Sequence, residues 1–333
     1  MSASFRRMLW RRSIVLALTL VAVYLLWPSL LTVFSAWPDL LHLDARWFGV
    51  MAAVQAMSFA SMWQLLRVTL RVEGWLPVVT SQLASNAVSR IVPGGVAAGP
   101  ALQFRMLNQA GVPGARIASG VTATSAMGLA TLLALPALAI PVAVLEGPIP
   151  SGLAQAALLG GGVFLVLFLV TAVGLTTDRP LEWVGAVLQW LGNRYRPDAL
   201  ATDIPENLLR ERDDLRSMVG SIWWKAVLYA TAVSLFDYQA LLAALAAVGS
   251  TPRPTLVLLA YVAARLLSLI PVTPGGLGFV EVGLAGVLVL AKVDSADAVL
   301  ATLAYRLVSF WLPLPLGLVA YVCHHRRYAA RAT

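Results

Sequence analysis

Charge is scarce in this sequence. Only 12% of its 333 residues are Asp, Glu, Lys or Arg, about half the roughly 25% usual in soluble domains. A chain so poor in charge cannot cover a water-facing surface, which excludes a soluble globular protein. Cysteine is nearly absent. The single Cys323 excludes an intramolecular disulfide and a CxxC metal or redox site, and it is expected only to pack in the last helix. Histidine is rare too: His42 falls in a loop, and His324 and His325 fall in the tail. None has a metal-ligand partner near it in sequence, so neither a metal nor any other cofactor is expected. The chain contains no G-x-x-x-x-G-K-[ST] phosphate loop, the signature of P-loop ATP binding. A basic-aromatic nucleic-acid motif is missing as well. The net charge of +8 comes mainly from short loops and tails, where Lys and Arg set membrane orientation.

Apolar residues are abundant, at 59%. Runs such as Ser13–Phe34, Ile117–Val144 and Leu153–Thr176 are long enough to cross a hydrocarbon core of roughly 30 Å, which takes about 20 apolar residues. Trp10, Trp37, Trp47, Trp75, Trp223 and Trp224 lie at the ends of apolar runs, as interfacial anchors do. The N-terminal arginines and the first apolar run resemble a signal sequence. The run is too long for one and no clean A-x-A site follows, so an uncleaved first span is expected.

The expected fold is all-α and polytopic, in one transmembrane domain. Full spans are expected at about 13–34, 47–66, 117–143, 154–176, 222–248 and 297–322. A polar connector, about 177–221, carries Leu181–Trp190 as an interfacial helix and Glu206–Met218 as a second surface helix. Arg6, Arg7, Arg11 and Arg12 place the N-terminus in the cytoplasm of a bacterial-type plasma membrane. Arg67, Arg71, Arg105, Arg116, the connector arginines, and Arg326, Arg327 and Arg331 then lie inside. That pattern holds if 77–107 and 255–292 each enter and return to the same side.

Those two segments are unusual. Segment 77–107 is polar and Gly-rich, and Pro93-Gly94-Gly95 breaks it near the middle. Segment 255–292 is broken in the same place by Pro271, Pro274, Gly275 and Gly276. Proline removes a backbone donor and glycine loosens a helix. Irregular backbone at membrane depth survives only where protein or a watery cavity covers it. Both breaks are therefore expected inside the bundle. Three full spans separate the two copies, an odd number, so they form an inverted repeat: about 47–143 and about 222–322. Paired broken helices in an inverted repeat point to a transport site near the midplane; the plainer alternative is kinked spans without a substrate.

Asn86, Arg90, Arg105, Arg265, Glu281 and Arg306 lie in or beside these apolar segments. A charge at the bilayer centre costs about 2.5–3.5 kcal/mol or more, so these residues should face the interior. Arg265 and Glu281 are expected to pair across the second break, with Arg306 joining them. One reading is a buried ion pair that fixes the packing. Another is an anion site, because three arginines outnumber one acid and the guanidinium fork suits phosphate. A third makes Glu281 a proton carrier. Asp237 is a lesser candidate, expected to bond its neighbours Tyr238 or Gln239.

The same residues carry a family resemblance. The stretch Arg265–Glu281, with Pro271, Pro274, Gly275, Gly276 and Gly278, resembles the most characteristic motif of the lysylphosphatidylglycerol synthase transmembrane-region family. Tyr305–Pro313 with Gly317 is similar to the family's next motif, and Asn86, Pro93 and Arg105 resemble its first. The resemblance covers nearly the whole chain. It implies the lipid-flipping half of those proteins, which also occurs alone and handles other lipids. No soluble transferase segment is seen in the 333 residues, so lysyl transfer is not expected.

The leading expectation is a flippase or scramblase, not an enzyme. It would move an anionic phospholipid, a glycolipid or a polyprenyl-phosphate-linked lipid. Its substrate-binding residues would be Asn86, Arg90, Arg105, Arg265, Pro274, Gly275, Gly276, Gly278, Glu281 and Arg306. Two alternatives stay open: a membrane enzyme acting on lipid phosphates, for which one buried acid is thin support for Mg²⁺, and a non-transporting partner of a glycosyl transferase. A homo-oligomer is also left open.

Overall fold

The computed structural model describes residues 37–92, 95–155, 204–269 and 274–328, with a few positions between 156 and 166. Among the described residues the elements are helices: α1 (Trp37–His42), α2 (Ala45–Leu70), α3 (Trp75–Ile91), α4 (Gly95–Gln109), α5 (Gly114–Leu145), α6 (Ile204–Ala247), α7 (Pro254–Leu267), α8 (Phe279–Leu290), α9 (Ser295–Arg306) and α10 (Pro313–Tyr328). A 3₁₀ turn, Pro274–Gly276, precedes α8, and a π turn, Leu307–Trp311, joins α9 to α10. The span expected at about 13–34, most of that at about 154–176, and the first part of the connector lie outside the described residues.

Four helical runs are long and apolar enough to cross a membrane: α2, α5, Trp223–Ala247 of α6, and the joined α9–α10. They match the remaining four expected spans, which makes the chain a multi-pass membrane protein. The connector's second surface helix is not separate. It continues into the span as one helix of 44 residues, because no proline occurs between Pro205 and Pro252 to stop it.

The two unusual segments form helical hairpins. The helices α3 and α4 have 17 and 15 residues, and α7 and α8 have 14 and 12. At 1.5 Å per residue none reaches the ~30 Å hydrocarbon thickness. Gly99 of α4 sits against Ser85 and Ser89 of α3. Further from the break, His324 bridges Thr80 of α3 and Met106 of α4. The two helices therefore run antiparallel. In the second hairpin Gly283 of α8 faces Leu267 of α7.

The hairpins enter from opposite ends of the bundle. Ser58 of α2 donates to the Val233 carbonyl of α6, and Leu65 packs on Ala226 and Ala230. That register makes α2 and α6 antiparallel. The chain leaves α2 at one end to start α3, and leaves α6 at the other end to start α7. The tips meet inside. At Gly275 a Cβ would lie 2.6 Å from the Arg90 carbonyl oxygen and 2.9 Å from the Phe310 ring. Only glycine fits there, and its φ of 62° also favours glycine.

Two apolar clusters hold the ends. The larger joins Met51, Leu135, Leu241, Leu256, Leu284 and Ala298 around the base of the second hairpin. A smaller one joins Leu66, Leu70, Val78, Leu107 and Ile117 around the base of the first. Small residues bring backbones close, as membrane helices favour. At Gly317 of α10 a Cβ would lie 2.6 Å from the Leu83 carbonyl oxygen of α3.

Candidate functional site

Arg90 reaches the site from the last turn of α3. Its Nη1 donates to the carbonyls of Ser309 (2.7 Å) and Phe310 (2.8 Å), and its guanidinium lies 4.9 Å from the Phe310 ring centroid. The sequence explains why the Ser309 carbonyl is open to Arg90. Pro313 has no N–H to offer Ser309 in an α register. The Phe310 carbonyl lies in the adjoining π turn and accepts from the same Nη1. The π turn thus exposes acceptors deep in a span, and Arg90 takes them.

Arg306, at the end of α9, donates through Nε to Glu281 Oε1 at 2.9 Å, with Nη2 2.7 Å from the same oxygen. It also lies 4.2 Å from the Phe310 ring centroid. Glu281 Oε2 is buried and accepts no hydrogen bond. The expected pairing of Glu281 with Arg265 does not occur. Glu281 lies beyond the tip, in the first turn of α8, and it meets α9 rather than α7.

Arg265 instead lies 3.9 Å from Asp237 Oδ2. The same Oδ2 accepts hydrogen bonds from Tyr261 (2.9 Å) and Tyr305 (3.0 Å). Asp237 is buried within the membrane-spanning part of α6, and the expectation that it bonds Tyr238 or Gln239 is corrected. Tyr238 donates to the Pro254 carbonyl, and Asp237 is shared by α7 and α9. With two hydroxyls on one oxygen, Asp237 leaves the Arg265 side chain 48% exposed.

Arg90 and Arg265 both line a cavity of about 380 Å³. Its polar wall includes Gln82, Ser85, Asn86 and Ser89 of α3, Gln103 of α4, Thr124 and Ser125 of α5, and Ser234 of α6. Leu65, Leu66, Leu129 and Leu132 supply apolar walls. Three arginines now face two carboxylates, Asp237 and Glu281. Arg90 meets backbone carbonyls and a ring, and among the described residues no carboxylate pairs with it. The cluster therefore carries an excess positive charge beside a polar space, which suits an anion.

The other sequence candidates divide. Asn86 lines the cavity, and its Oδ1 is buried without a hydrogen-bond partner. Gly275 is at the tip contact, while Gly276 (φ 70°) and Gly278 (φ 76°) shape the turn into α8. Pro274 opens that turn. Arg105 is on the exposed face of α4 and does not line the cavity. His324, read from sequence as a tail residue, is buried because α10 runs on to Tyr328. It ties both arms of the first hairpin to α10.

The sequence model of the lysylphosphatidylglycerol synthase TM region matches residues 14–317. The chain belongs to that family. A search of curated proteins finds no match. In this lysylphosphatidylglycerol synthase transmembrane-region protein, the motif from Arg265 to Glu281 covers the end of α7, the hairpin tip and the start of α8. The motif from Tyr305 to Pro313 carries the Tyr305 hydroxyl that donates to Asp237, the Arg306 guanidinium that pairs with Glu281, and the π turn. The sequence reading passed over Phe310 and Ser85. Two prolines shortly after a buried arginine were the signal for the π turn.

Proposed function

We propose that this protein moves a lipid with an anionic head group between membrane leaflets. The observation that carries the reading is the meeting of two hairpin tips, with Arg90 and Arg265 facing one polar cavity inside the bundle. The head group passes through the cavity while its tails remain in lipid. Each opposed hairpin belongs to one half of an inverted repeat, about 47–143 and about 222–322, and the tip contact at Gly275 is the hinge between them. The protein acts as a transporter, not an enzyme, in a bacterial-type plasma membrane.

The direct test is lipid translocation by purified protein in vesicles, using fluorescent phosphatidylglycerol, phosphatidylcholine and a polyprenyl phosphate. Wild type should move an anionic lipid. Arg265→Ala, which removes an exposed cavity side chain, should lose at least about tenfold in rate while keeping its elution profile and melting temperature. Well-folded protein that moves none of these lipids would overturn the reading in favour of a scaffold for a glycosyl transferase. Release of phosphate from the lipid would favour an enzyme.

A further inference from the structure

The polar wall of the cavity is graded. Along α3 the cavity-lining residues run Gln82, Ser85, Asn86, Ser89 and Arg90. The helix rises about 12 Å over those eight steps. The cation thus lies deepest, at the hairpin tips, and amides and hydroxyls lie outward, toward the end where α3 begins. Ser125 and Ser234 add hydroxyls from α5 and α6.

Among the described lining residues there is no carboxylate. The two nearby acids are engaged behind the wall, Asp237 with Tyr261 and Tyr305 and Glu281 with Arg306. An ammonium entering this space meets two guanidinium groups and no counter-charge. A hydroxyl meets groups that both donate and accept. Asn86 Oδ1 is a buried acceptor still lacking a donor, and a buried amide oxygen left unpaired is costly. The space is also small. About 380 Å³ is near the lower limit of ligand pockets, roughly 300–1,000 Å³, so it holds a head group rather than a whole lipid.

We propose that the cavity selects a lipid phosphate whose head group is uncharged and rich in hydroxyls, of glycerol or sugar type, and rejects head groups bearing an ammonium. This selectivity rests on the transport reading above. The phosphate sits between Arg90 and Arg265, and the hydroxyls sit among Ser85, Asn86 and Ser125.

Binding separates the two claims. Full-length protein in detergent is titrated with dihexanoyl phosphatidylglycerol, dihexanoyl phosphatidylethanolamine, a lysyl ester of phosphatidylglycerol, and free glycerol 3-phosphate. Phosphatidylglycerol should bind at least about tenfold tighter than either amine lipid, a discrimination set by unfavourable contacts as much as by good ones. Glycerol 3-phosphate should compete weakly. Asn86→Asp, which places a carboxylate among the hydroxyls, should move the preference toward the amine lipids by at least about tenfold. Arg90→Gln should weaken all the lipids. Equal or tighter binding of the amine lipids to wild type overturns the selectivity, and transport stands if those lipids are moved in vesicles. Free glycerol 3-phosphate binding as tightly as the lipid, or no lipid binding by folded protein, overturns both.

Discussion

An arginine inside a membrane bundle is tolerated only where its donors and its charge are answered, and the three at this site, of which Arg306 is buried and Arg265 half-exposed, are answered differently. Arg306 has a carboxylate, Arg265 has a shared one at 3.9 Å, and Arg90 has two carbonyls and a ring. Removing one member of a buried pair leaves the other charge uncompensated, at a cost of about 3–5 kcal/mol. Glu281→Gln should therefore lower the melting temperature strongly. The double variant Glu281→Leu/Arg306→Met removes both charges and should recover about 1–4 kcal/mol of that loss. A double-mutant cycle of melting temperatures checks this, and an additive result would show that the two side chains act independently. Identity was legible in the sequence at this scale, but pairing was not. That Asp237, Glu281 and the arginines needed partners followed from the cost of charge in lipid. Which partner each found depends on helix rotation and crossing: Glu281 bonds 25 residues onward, across to α9, and Asp237 bonds Tyr305 at 68 residues' distance.

The helical elements were easier to read than their contacts. The Pro-Gly-Gly breaks located both hairpins, because a proline and paired glycines within an apolar run weaken a helix regardless of tertiary context. The continuity of α6 and the length of α10 were missed, since polar residues at a helix end resemble a loop until packing decides. Burial of His324 against Thr80 and Met106 is such a decision. The π turn is the element whose role is most open to test. Pro313 and Pro315 weaken the helix locally, and Pro313 leaves the Ser309 acceptor to Arg90. The variant Pro313→Ala/Pro315→Ala restores two N–H groups; the first competes for the Ser309 carbonyl, and both favour a regular α register over the π turn. Relieving proline within a helix gains up to about 3 kcal/mol per residue in an isolated helix. The variant should match or exceed wild type in melting temperature yet lose anionic-lipid translocation. Translocation at the wild-type rate would mean that Arg90 needs no carbonyl anchor.

Across the whole molecule, the ends of the bundle differ in charge. The end holding the outer ends of α3 and α4 and the last turn of α10 carries Arg67, Arg71, Arg105, Arg116, Arg326 and Arg327, with Glu73 as an acid. The opposite end carries Asp39, Asp44, Glu146, Asp294 and Asp297 against Arg46, Arg253 and Lys292. Lys and Arg in short loops are retained in the cytoplasm, so the arginine-rich end should face inward, with the graded cavity leading from it to the hairpin tips. The last turn of α10 should then be cytoplasmic. The arrangement of the hairpins makes this testable with two single cysteines. In a Cys323→Ser background, Asp39→Cys reports one end and Asn108→Cys, on the outer end of α4, reports the other; both positions are exposed. A membrane-impermeant maleimide applied to intact spheroplasts should label Asp39→Cys and should reach Asn108→Cys only after lysis. The reverse pattern would invert the molecule. Labelling of both before lysis would mean that the first segment crosses the membrane rather than returning, and the tip contact at Gly275 could not then join two opposed hairpins.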